Sequence, residues 1–210
     1  LHNAACYWRH VPLIALLLLA IALPAWAGDP CFDLSTRIAE PPRPGLPLPP
    51  SGSDVSDAGQ KGELVWAQRR GVVRRPIEKL RAFLEDPRNF KDEQVAEMTL
   101  TPLPSGPQLE RHRVRSLVRP FPFVTVEWTD EWATTLVAGT PARPDVLVVA
   151  YQKVAGTSYI AHFCGTLVLT RIDDHTTDVA QYEEANITGR SHDDMKRGLA
   201  EFVDTMRSLP

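Results

Sequence analysis

The chain has 210 residues, of which 43% are hydrophobic and 23% charged, the make-up of an ordinary soluble protein. Lys and Arg number 23 against 26 Asp and Glu, and a formal net charge of −3 argues against a nucleic-acid binder.

Arg9 and His10 precede an apolar run, Val11 to Leu23, that ends in Pro24-Ala25-Trp26-Ala27. That is the pattern of a secretory signal cleaved after Ala27, since the run is shorter than the roughly 20 residues that span a bilayer. The expectation is an exported protein, periplasmic or extracellular, whose mature chain begins at Gly28. Asp29-Pro30 before Cys31 breaks the lipoprotein pattern. Of the three cysteines, Cys31 and Cys164 survive cleavage. Export permits a bridge between them. The apolar run around Cys164 leans the other way, toward a buried thiol with Cys31 free in a tail.

Residues 28–60 are read as a tail and linker, because Glu40 to Ala58 is rich in Pro, Gly and Ser. One folded domain, 61–210, then has roughly 150 residues, enough for a real core. Leu64 to Val73 reads as a strand. Pro76 opens a short helix in which Ile77, Leu80, Phe83 and Leu84 fall at helical spacing, up to the stop at Asp86-Pro87. Strands follow at Gln94 to Thr101 and Leu109 to Val118, joined by a Pro-rich turn. Phe123 to Trp132 alternates, with Val124, Val126, Trp128 and Trp132 on one face and Glu127, Thr129 and Glu131 on the other. Val146 to Val154 is apolar on both faces. Ile160 to Arg171 and Thr177 to Tyr182 form a hairpin about a turn at Asp173-Asp174-His175. The last segment, Ser191 to Ser208, carries one apolar stripe of Met195, Leu199, Phe202, Val203 and Met206. Ser191 is its N-cap, with Asp193 and Asp194 in the first turn and Arg207 in the last, each complementing the helix dipole.

This order predicts an α+β fold in which a curved antiparallel sheet of six to seven strands wraps a long C-terminal helix. The order, together with Arg74-Arg75-Pro76-Ile77, Phe83 through Pro87, Cys164-Gly165-Thr-Leu167-Val-Leu169, Thr177-Asp-Val179 with Tyr182, and Asn186-Ile-Thr-Gly189, resembles the helix-grip superfamily, the START-related and polyketide-cyclase-like (SRPBCC) domains. The resemblance covers Lys61 to Leu209. It implies an apolar site between sheet and long helix that takes a lipid, sterol or other apolar small molecule, with a transient membrane contact for exchange. Fold alone does not decide between a carrier, a cyclase- or hydrolase-like enzyme in the same cavity, and a ligand-free interaction module.

The expected lining is Met98, Trp128, Trp132, Tyr151, Phe163, Leu167, Met195, Leu199, Phe202 and Met206. Ala180 and Ala185 are small positions on the final strand, and parity lets only one face inward. No cofactor is required by the pattern, and nothing in it sets an oligomeric state. Nucleophile motifs and phosphate-binding glycine loops are absent from the sequence, so catalysis has no positive support. An enzyme would have to use His112 or His162 with a carboxylate such as Glu184. His112, between Arg111 and Arg113, is expected to face solvent. Those two arginines and Arg115 form a basic ladder that Glu127 or Glu131 on the next strand would pair. His162 and Cys164 share a strand face, yet no third ligand stands at a recognisable spacing, so no metal site is expected.

Overall fold

The computed structural model describes residues 31–36, 38, 46–50, 53–90, 95–121 and 123–210. The signal segment expected at 1–27 lies outside them. Strands β1 (Asp54–Lys61) and β2 (Leu64–Val73) lead into helix α1 (Ile77–Glu85) and a 3-10 turn (Pro87–Phe90). Then come β3 (Val95–Pro102), β4 (Glu110–Phe121), β5 (Val124–Gly139), β6 (Pro144–Gly156), β7 (Ile160–Asp173), β8 (Thr176–Ile187) and helix α2 (His192–Ser208). All eight strands form one antiparallel sheet in the order β1-β2-β8-β7-β6-β5-β4-β3.

The sheet thus has eight strands, one more than the upper count expected. The addition is β1, which pairs along its whole length with β2 inside the stretch read as linker. Its sequence, Asp-Val-Ser-Asp-Ala-Gly-Gln-Lys, is polar on both faces. It is held at the edge by charge as well as by its ladder. Asp54 takes hydrogen bonds from Arg69 and from Arg207 on α2, and the Arg207 bond is the main reason its carboxyl titrates below the usual range. Gly71 leaves room for this ion pair, since a Cβ at that position would meet Asp54 Oδ1 at 2.0 Å and displace the carboxylate.

Helix α2 forms as its sequence dictates. The Ser191 hydroxyl accepts from Asp194 N (3.2 Å) while the Asp194 carboxylate accepts from Ser191 N (3.0 Å), a complete capping box. The helix buries Met195, Leu199, Val203 and Met206. Met195 and Leu199 pack with Val65, Ala67 and Ala185, and Val203 and Met206 with the main core of Val73, Leu80, Leu147, Leu169 and Val179. Ala185 is therefore the inward alanine, under the helix, and Ala180 lies on the other face. Among the described residues no helix is long and apolar enough to cross a membrane.

The outer face of the sheet is also partly covered. Phe32 N donates to Gln152 Oε1 (3.0 Å) and Gln152 Nε2 donates back to Phe32 O (2.9 Å). Leu34, 3% exposed, packs on Ala133 and Ala150, and Gln108 Nε2 donates to the carbonyls of Leu34 (2.9 Å) and Thr36 (2.6 Å). Cys31 is joined to Cys164 on β7 by a disulfide, so these residues form a strap tied across the sheet and not a tail with a free thiol. The sequence could not fix the pairing because the partners are 133 residues apart. The outer face also carries the arginine ladder as expected: Arg111 and Arg113 pair with Glu131, and Arg115 with Glu127.

Candidate functional site

The inner face of the sheet, gripped against α1 and α2, is apolar at one end and polar at the other. Register sets the row that divides them. His112 stands opposite Trp132, Trp132 opposite Tyr151, Tyr151 opposite Gly165, and Gly165 opposite Glu183. Cross-strand neighbours on one face touch. His112 stacks on Trp132 (centroids 6.1 Å apart) and Trp132 on Tyr151 (4.4 Å). Gly165 leaves the gap that Tyr151 needs, since a Cβ there would meet Tyr151 Oη at 2.4 Å. Across that gap Tyr151 Oη donates to Glu183 Oε1 at 2.7 Å.

Beside this row Trp128 Nε1 donates to Asp130 Oδ2 (2.8 Å), and Lys153, opposite Asp130, gives its ammonium to the carbonyls of Thr157 (3.2 Å) and Ile160 (2.5 Å). Burial pushes the Asp130 carboxyl up to about 7, against the opposing pull of the Trp128 bond and Lys153. Burial likewise raises Glu183, with Arg190 and the Tyr151 bond opposing, and raises Tyr151 well above its ordinary value. Desolvation lowers Lys153. Several inner polar atoms make no hydrogen bond among the described residues: Asp130 Oδ1, Gln181 Oε1, Glu110 Oε2 and both ring nitrogens of His112, with Glu110 Oε1 3.6 Å from His112 Nδ1. Buried polar atoms without partners are costly, so a cluster of them marks a place where water or a polar ligand group is received.

The expected lining residues all lie on the gripped face or its helix. Trp132, Tyr151, Leu167 and Met206 belong to the main core, with Met98, Phe163 and Phe202 packed against it, and Met195 and Leu199 to the smaller cluster. Trp128 stands opposite Gly156, next to the polar end. Met98, Leu100, Leu136, Phe163 and Phe202 pack against the core but stay only partly buried, an incompletely covered apolar set on β3, β5, β7 and α2.

His112 does not face solvent: it is 4% exposed and lies inside against Trp132. Its arginine neighbours take the outer face, and alternation alone then turns His112 inward. His162 and Glu184 are close, with Nε2 3.1 Å from Oε1, but they sit on the outer face beside the disulfide and do not open into the grip. Missing from the sequence reading were Asp130, Lys153, Gln181 and Glu183. The one signal for them was Gly165, since a glycine inside a strand marks a close approach.

No family model and no curated protein matches the chain. Among solved structures it is similar to the STAR-related lipid transfer protein of Xanthomonas axonopodis, at 15% identity and TM-score 0.54 over 77% of this chain and 95% of that one. It is also similar to the lipid transfer and protein localization domain of human StarD13, at 8% identity and TM-score 0.53 over 78% of this chain and 85% of that one. At these identities what is shared is the fold, and it is the helix-grip fold of the START-related (SRPBCC) domains.

Proposed function

We propose that the chain binds and carries an apolar small molecule with a polar end, a lipid or sterol in class, in the groove between sheet and α2. The observation that carries this is the inward-facing but incompletely covered set Met98, Leu100, Leu136, Phe163 and Phe202, of which Phe163 packs on Tyr151 (ring centroids 5.7 Å apart), the side chain that Gln181 reaches, together with the oxygens of Asp130 and Gln181 that accept no hydrogen bond among the described residues. The apolar body of the ligand would be desolvated against the former while its polar end meets the latter. The fold shared with two lipid-transfer domains supports the reading. Export fits the apolar leader ahead of Gly28 and a disulfide of the kind that persists in oxidising compartments.

Met98 is half-buried, so Met98→Trp adds volume in the groove and not in the packed core. The expected result is at least a tenfold loss of uptake of a fluorescent lipid probe, with the unfolding midpoint little changed. Uptake equal to that of the unaltered chain would remove the groove as the binding place.

Exchange with a membrane is part of the proposal. Phe123, at the turn between β4 and β5, is 99% exposed, an apolar group free to enter a lipid surface. Phe123→Ser should slow delivery of the probe to vesicles severalfold and leave binding in solution intact; an unchanged delivery rate would contradict a contact at this tip.

A further inference from the structure

The disulfide lies in a set of groups whose arrangement has a second use. His162 Nε2 is 3.3 Å from Cys31 Sγ and 3.6 Å from Cys164 Sγ. Glu184 Oε1 is 4.0 Å from Cys31 Sγ, 3.7 Å from Cys164 Sγ and 3.1 Å from the same histidine nitrogen. Zinc holds sulfur at about 2.3 Å and nitrogen or oxygen at about 2.0–2.2 Å, so tetrahedral zinc ligands stand about 3.3–3.8 Å from one another. Five of the six edges of such a tetrahedron are thus already close to length. The sixth joins the two sulfurs, which are covalently bonded.

The surroundings favour ligation over mere crowding. Tyr182 Oη donates to Glu184 Oε2 (2.6 Å), which fixes the carboxylate with Oε1 toward the sulfurs, the kind of outer support that orients a metal ligand. His162 and Glu184 come from paired strands, with Cys164 directly opposite Glu184, so the sheet holds three of the four groups without the strap. Cys164 is buried, whereas Cys31, His162 and Glu184 are half-buried and open to an arriving ion. Sequence spacing hid the set because Cys31 arrives from the strap and Glu184 from the next strand.

We infer that in its reduced state the chain binds one zinc ion through Cys31, His162, Cys164 and Glu184, so that the strap is clasped by a disulfide when oxidised and by a metal when reduced. Reduction by a dithiol breaks the sulfur–sulfur bond. Two electrons and two protons pass to the cysteines, and the dithiol becomes a disulfide. Zinc then displaces both thiol protons to solvent, and the imidazole and carboxylate complete the shell.

The test uses the full folded chain, with cobalt as the spectroscopic probe and zinc as competitor. Reduced protein should take up one cobalt ion with thiolate-to-metal charge transfer and tetrahedral visible bands, and zinc should displace it; oxidised protein should show neither. His162→Ala and, as the conservative change, Glu184→Gln should each weaken binding by about tenfold or more, and Tyr182→Phe by about tenfold. No uptake by the reduced chain would overturn the inference. So would equal uptake by the oxidised chain, or binding unaffected by both the His162 and the Glu184 substitutions, which would leave an ion held adventitiously by two thiols.

Discussion

Cys31→Ser, measured in chelator, should lower the stability of the chain by about 3–5 kcal/mol, a fall of about 10 °C in the thermal midpoint. The size follows from the length of the loop that the bridge closes, 133 residues in sequence, because the stabilisation of a cross-link through the unfolded state grows with that length. The enthalpic side adds to it. Once Cys31 is untied, the strap must hold Leu34, with Phe32 and Ile38 packed beside it, against Ala133 and Ala150 through that packing and, among the described residues, the Gln152 and Gln108 hydrogen bonds. The chelator matters, since it removes metal that would clasp the reduced wild-type control. Denaturation of oxidised wild type, reduced wild type and the variant side by side is the check. A variant as stable as the oxidised chain would mean that the strap contributes nothing to the fold.

The second large effect is one of pH. Asp130 is raised from 3.8 to about 7 by burial, so between those values the folded chain keeps a proton that the unfolded chain has lost. Unfolding in that window releases the proton. Stability is therefore highest at acid pH with respect to this group, and it falls by up to about 1.4 kcal/mol per unit as pH rises toward 7, then levels off. Glu183, raised in the same direction, adds to the trend. Asp130→Asn removes the ionisation while keeping an oxygen for the Trp128 indole. Urea unfolding at pH 5 and pH 8 should show the wild type losing about 2–3 kcal/mol more than the variant across the interval. Parallel losses in the two proteins would show that the Asp130 carboxyl is not held protonated by the interior. The same protonation bears on the proposed function: near pH 7 the Asp130 carboxyl is divided between a hydroxyl donor and a carboxylate acceptor, which would suit an uncharged polar end on the proposed ligand.

How far the sequence reached can be judged from particular elements. Helix α2 was legible in its span, its N-cap and most of its stripe, because these are local patterns; the reciprocal bond from the Ser191 amide to Asp194 and the partial burial of Phe202 came from the structure. So was the pairing of the arginine ladder with Glu127 and Glu131, which needed only two strands in register. Strand β1 was not, since an edge strand that buries little carries no apolar alternation, and its Pro- and Ser-rich approach argued for a linker. His112 was misplaced for a different reason. The alternation that puts Arg111, Arg113 and Arg115 outside puts His112, Val114 and Ser116 inside, and strand parity outweighs the polarity of the flanking arginines. The Tyr151–Glu183 bond spans three strands through Gly165, and the four-group set at Cys31 joins the strap to two strands. Both depend on register across the sheet, which no single segment encodes.

The central claim is that the groove holds an apolar molecule, and the most direct measurement is native mass spectrometry of the intact protein recovered from the cells that make it. The account predicts a mature chain beginning at Gly28 that carries one additional apolar molecule, released on denaturation and absent from the Met98→Trp variant. A native mass equal to that of the bare chain, in protein that also takes up no lipid or sterol probe, would contradict the carrier and leave a ligand-free interaction module in its place.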